Sequence, residues 1–67
     1  MHAATATKLV DLELYLHWSS ERAILVSRVD QSQRVWLMLS MIEVRRRSEF
    51  LAEVTMPEWL ALETGLI

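Results

Sequence analysis

Apolar and polar side chains alternate with a period of two from Val10 to Trp18. Val10, Leu12, Leu14, Leu16 and Trp18 are apolar, and Asp11, Glu13, Tyr15 and His17 between them are polar or amphipathic. Successive side chains of a strand point to opposite faces, so this pattern predicts a strand whose even positions are buried. Ser19-Ser20-Glu21-Arg22 reads as a tight connection, and Ala23-Ile24-Leu25-Val26-Ser27 as a second strand rich in aliphatic and β-branched residues; together they predict an antiparallel hairpin. The polar cluster Asp30-Gln31-Ser32-Gln33 predicts a turn. The apolar run from Arg34 to Val44 suits either a buried strand or a buried helix. Its β-branched and aromatic members, Val35, Trp36, Ile42 and Val44, favour two strand pieces, Val35 to Met38 and Met41 to Arg46, bent near Leu39-Ser40. Arg47-Ser48-Glu49 is then a turn and Phe50-Leu51-Ala52-Glu53-Val54 a last strand.

The closing segment carries helix signals at both ends and predicts a helix from about Pro57 to Thr64. Thr55 is placed to cap a backbone N–H three residues on, Glu58 to reach back and complete a capping box, and Pro57 sits in the first turn, where its missing N–H is not needed. Gly65 suits the left-handed position after the helix, and Leu66 supplies the hydrophobic contact of a Schellman motif. So short a helix must be held by packing. Trp59, Leu62 and Leu66, at i, i+3 and i+7 with Leu60 beside them, predict the side that meets the sheet.

These elements predict an α+β fold: an antiparallel sheet of four or five strands with one short C-terminal helix. Curling of that sheet into a small SH3-like barrel is its more closed form. A chain of 67 residues cannot divide its apolar surface between two cores, so residues 8–67 are expected to be one domain and residues 1–7 a flexible tail. With no cysteine, neither a disulfide nor a thiolate metal site supplements the core, and 52% hydrophobic residues must supply it by packing. Neither a run of signal-peptide length in Met1–Thr7 nor a span of about 20 apolar residues is present, which gives the expectation of a cytoplasmic protein with no membrane partner.

Candidate chemistry is sparse. The histidines are His2 in the expected tail and His17 on the outward strand face, too few for a zinc site. The serines lack a nucleophile elbow, Asp11 and Glu13 share an outward face as solubilising acids do, and the single glycine is the helix stop, not part of a phosphate loop. No catalytic residue, metal site or cofactor is expected, and the chain does not read as an enzyme.

Charge is polarised although its net value is only −2. Arg34 to Arg47 holds four arginines against Glu43, and from Ser48 onward there are four acids, Glu49, Glu53, Glu58 and Glu63, and no base. Arg45, Arg46 and Arg47 beside Trp36 give one candidate, a nucleic-acid patch of cations with a stacking ring. Strand alternation would send Arg46 to the face opposite Arg45 and Arg47, which disfavours direct nucleic-acid binding. Glu49, Glu53, Glu58 and Glu63 give the other candidate, an acidic surface for the arginine-rich channel of a nucleic-acid-binding machine, with Glu58 also explained by capping. Trp18, Trp36 and Trp59 read either as core fillers or, for one of them, as an exposed anchor for a protein partner. Trp36 suits the anchor best, because Val35 and Leu37 would take the inward face of its strand. The partner-binding candidates are therefore Trp36, Glu49, Glu53 and Glu63. A monomer and a homodimer built on an unpaired strand edge both stay open.

The closing stretch Glu53-Val54-Thr55-Met56-Pro57-Glu58-Trp59-Leu60-Ala61-Leu62-Glu63-Thr64-Gly65-Leu66-Ile67 resembles the ending of a group of short bacterial, phage and mobile-element proteins. Those proteins run from a valine-rich strand through Pro-Glu-Trp-Leu-Ala to a Gly-Leu-Ile terminus, and Ala23–Ser27 and Val35-Trp36-Leu37 are similar to their middle strands. The resemblance covers about half the chain. It implies an inhibitor of host defence, an anti-CRISPR protein being the best-studied kind, which acts by occupying a surface of a CRISPR–Cas complex. It brings no catalytic motif.

Overall fold

The computed structural model describes residues 8–30 and 32–67, so the expected flexible tail, residues 1–7, lies outside the described residues, as does Gln31 of the expected turn. Five strands form: β1 (Leu9–Ser19), β2 (Ala23–Arg28), β3 (Arg34–Met38), β4 (Glu43–Arg46) and β5 (Leu51–Pro57). A 3₁₀ turn, Leu39–Met41, separates β3 from β4, and α1 (Glu58–Glu63), the single α-helix among the described residues, follows β5. The strands make one antiparallel sheet in the order β3-β2-β1-β5-β4. Among the described residues no helix is long and apolar enough to cross a membrane.

β1 organises the sheet because its two halves serve different neighbours. Leu9 to Tyr15 pair with Pro57 to Leu51 of β5, whereas Leu14 to Ser19 pair with Arg28 to Ile24 of β2. This stagger forces the sheet to coil. β3 ends level with the Ser19 end of β1, since Met38 pairs with Ala23, and β4 begins level with Asp11, since Glu43 and Asp11 both pair with Thr55. In a flat sheet those corners would stand roughly 33 Å apart, from strand rise and strand spacing. The five Cα–Cα steps from Met38 to Glu43 reach about 19 Å at full stretch. The coiled sheet nonetheless stays open. β3 and β4 form its two edges without pairing to one another, because the 3₁₀ turn crosses the gap between them instead of prolonging either strand. The closed SH3-like barrel is thus not formed.

The buried face carries Leu14, Leu16, Ile24, Val26, Leu37, Ala52, Val54 and Met56, and Leu60, Ala61 and Leu66 of the closing segment pack onto it. Leu39 and Ile42, flanking the crossing turn, pack against the same cluster.

The helix departs from expectation at its start and matches it at its end. Thr55 is not a cap: it is a β5 residue whose hydroxyl donates to the Asp11 carboxylate and accepts from Arg45 Nη2 at 3.4 Å. Pro57 occupies the N-cap with no side-chain cap bond, so the capping box does not form. The Glu58 N–H donates instead to the Lys8 carbonyl at 2.7 Å, continuing the β1–β5 register into the first turn. That continuation sets the helix rotation. Leu60 and Ala61 point into the core, and Trp59 and Leu62, expected to face the sheet, are exposed. At the other end Gly65 has φ +81°, its N–H donates to the Leu62 carbonyl and the Leu66 N–H to the Ala61 carbonyl, which is the Schellman pattern. Leu66 is buried, and Arg28 Nη1 donates to its carbonyl at 2.7 Å, tying the closing segment to β2.

Candidate docking face

The period of two in β1 breaks at His17. Leu16 pairs with Val26, but the next partner of Leu25 is Trp18, so His17 is an extra residue in β1 and the register shifts by one. A bulge of this kind leaves two residues opposite one and re-aims the side chains that follow. Leu25 lies on the face opposite the buried Val26, and its partner Trp18 joins it there instead of entering the core. Trp18 is 63% exposed, against the expectation of a buried even position.

The bulge is pinned by side chains. His17 Nε2 and Ser27 Oγ lie 2.7 Å apart, and the His17 ring meets Tyr15 edge-on with centroids 6.4 Å apart. Ser27 is the one buried polar residue among those described, and the histidine satisfies it. A serine hydroxyl on an imidazole nitrogen is also the opening of a nucleophile–base pair. Here Ser27 is only 1% exposed, so its oxygen has no approach for an incoming carbonyl, and the pair holds the bulge in place. The adjoining hairpin turn is closed by Ser20: its N–H donates to the Ala23 carbonyl at 2.8 Å, and its hydroxyl accepts from the Ala23 N–H at 3.1 Å.

The result is an apolar row across three strands on the outer face. Trp18 of β1 pairs with Leu25 of β2, which pairs with Trp36 of β3. Trp36 is 54% exposed, and Met38, paired with Ala23 in the next row, is exposed as well. Tyr15, Ser27 and Arg34 form the row on the other side, so Arg34 is the one cation within the rows around the tryptophans. Each Trp stands on a paired strand, which fixes backbone and spacing before any partner arrives. Trp59 and Leu62, at i, i+3 on α1, make a second and smaller exposed apolar pair.

The other half of the outer face is ionic. Glu13 of β1 lies opposite Glu53 of β5, an unfavourable pairing of like charges. Two arginines offset it: Arg45 Nη2 and Arg47 Nη2 reach Glu53 Oε1 at 3.3 and 2.9 Å, and Arg45 Nη1 lies 3.6 Å from Glu43. Arg46 pairs with the buried Ala52 and so stands on the face opposite Arg45. It lines a small cleft with Glu49, Trp18 and Ser19 at the far end of β1. The arginine run is therefore divided between two faces, with two of its members held by Glu53. The acidic candidates are separated too. Glu53 is engaged on β5, Glu49 lies in the β4–β5 turn, Glu63 is exposed on α1, and Glu58 is 3.5 Å from Lys8. Of the four partner-binding candidates, Trp36 alone falls in the aromatic row.

Sequence reasoning missed Trp18, Leu25 and Met38. One signal was present: from Ala23 to Val26 both faces are apolar, so Leu25 on the outer side calls for apolar cross-strand neighbours. Among the described residues no group of three or more His, Asp or Glu is placed to hold a metal ion. No known protein family, curated protein or solved structure matches this chain.

Proposed function

We propose that this chain is a non-catalytic protein-binding domain that docks through the outer face of β1, β2 and β3, and that it serves as an inhibitor by occupying a surface of its partner. The observation that carries this reading is the Trp18–Leu25–Trp36 row, with both tryptophans more than half exposed on paired strands. Rigid aromatic side chains that lose much solvent contact on docking are the residues that dominate protein interfaces. The fitting partner is a protein surface with an apolar cleft and an acidic or carbonyl-rich rim to meet Arg34. The likeness of the closing segment to short phage and mobile-element proteins supports a host-defence complex, a Cas effector, as that partner.

A stacking platform for single-stranded nucleic acid also uses exposed aromatics, but it needs a groove of cations along the backbone path. Arg34 is the one cation in these rows, Arg46 reaches the cleft beside Trp18 from the opposite face, and Arg45 and Arg47 are held by Glu53, so no continuous track of cations runs along the aromatic row. The test titrates the purified chain against assembled Cas effector complexes and, separately, against naked DNA and RNA at low and high salt. The expected result is a bound effector with impaired target engagement and unshifted nucleic acid. Salt-sensitive retention of naked DNA or RNA, without effect on any effector, contradicts the reading.

A further inference from the structure

We propose that β3 is the edge through which two copies of this chain join, antiparallel and strand to strand, into one continuous sheet. The inference starts from where the backbone groups of β3 point. The Leu39 N–H donates to the Arg22 carbonyl at 2.8 Å, one step beyond the Met38–Ala23 pair. Hydrogen-bonded and non-bonded pairs alternate in an antiparallel ladder, so Val35 and Leu37 turn their N–H and C=O groups to β2. Arg34, Trp36 and Met38 turn theirs away, to the open edge, and among the described residues β3 pairs with β2 alone. The residues that offer free backbone groups are thus the same ones that present their side chains on the docking face.

The opposite edge is built to refuse a partner and β3 is not. β4 is four residues long and carries three charges, Glu43, Arg45 and Arg46, with Arg47 just beyond it, the short and charged kind of edge that discourages strand addition. β3 is five residues long with one charge, Arg34, at its end. Pairing β3 with itself about a two-fold axis through Trp36 sets Arg34 opposite the partner's Met38 and keeps the two arginines at opposite ends of the joint. Every outward N–H and C=O of Arg34, Trp36 and Met38 then finds a mate. Val35 and Leu37 fall beside the partner's Leu37 and Val35, extending the apolar inner side. The interface is isologous and closes at two copies. It goes beyond the docking reading and does not depend on it, since backbone groups make the joint and the outer face, with the two Trp36 side chains side by side across the axis, stays open to a partner.

Met38 supplies the test. Its φ is −76°, within the range a proline ring imposes, and its N–H points to the open edge, so Met38→Pro removes an edge donor without costing a β2–β3 bond. Sedimentation of the full chain at roughly 100 µM, within the affinity range of weak interfaces, is expected to give twice the 7.8 kDa chain mass. Met38→Pro is expected to keep the circular dichroism of the parent and sediment as a monomer, while Trp18→Ala stays dimeric. A monomeric parent, or a folded Met38→Pro that is still dimeric, overturns the proposal. Should Met38→Pro not fold, hydrogen exchange of the parent decides: protection of the Trp36 and Met38 amides must rise with protein concentration, and concentration-independent exchange overturns the pairing. A monomer that still binds an effector refutes the edge alone, and a dimer that ignores every effector refutes the docking face alone.

Discussion

Leu14→Ala is expected to lower the unfolding free energy by about 3 kcal/mol, the range for emptying a fully buried leucine site. Leu14 is 1% exposed and is where β1 passes from one neighbour to the other, pairing with Ala52 of β5 and with Arg28 of β2. A cavity there loosens both halves of the sheet at once, and neither half can collapse into it without breaking register with the other. A domain of this length has a total stability of roughly 3–10 kcal/mol, so the loss is about a third of the whole or more. Urea denaturation followed by circular dichroism checks this, with an expected midpoint shift of roughly 2–3 M at the slope typical of small domains. A loss under about 1 kcal/mol would mean that β1 is not the common support of the two halves.

The second large effect concerns binding, with stability almost untouched. Trp18→Ala and Trp36→Ala are each expected to weaken partner affinity by about 30-fold or more, as loss of a central aromatic anchor does. Both side chains are more than half exposed, so unfolding free energies should move by no more than about 0.5–1 kcal/mol. Titration calorimetry against the effector complex, paired with thermal unfolding of each variant, separates the two quantities. Full affinity in both variants removes the row from the interface. Their cross-strand positions are coupled through Leu25, so the double variant is expected to lose less than the sum of the single losses.

Much of the fold was legible because short-range rules governed it. The alternation from Val10 to Leu16, the serine-closed hairpin turn and the glycine-stopped helix end each depend on a few neighbouring residues, and each formed as the residue types require. What escaped depended on pairing across the chain. Thr55-Met56-Pro57-Glu58 has the composition of a capping box, yet the β1–β5 ladder runs on to Pro57 and claims Thr55 as a strand residue. The same ladder, through the Lys8 carbonyl, fixes the rotation of α1 and leaves Trp59 outside. Trp18 escaped for a similar reason: an unbroken alternation cannot reveal that one of its members is inserted, and only the partner strand shows that His17 has no opposite number. Charge was legible as a layout along the chain but not as a surface, because Glu53 draws Arg45 and Arg47 to itself from eight and six residues away.

The bulge at His17, and with it the outward aromatic row, is most directly tested by acrylamide quenching of tryptophan fluorescence in folded Trp59→Phe, where only Trp18 and Trp36 report. Exposures of 63% and 54% predict a red-shifted emission, quenched nearly as readily as in the urea-unfolded chain. A blue-shifted emission protected from acrylamide until the chain unfolds would place these tryptophans in the core and contradict the docking face.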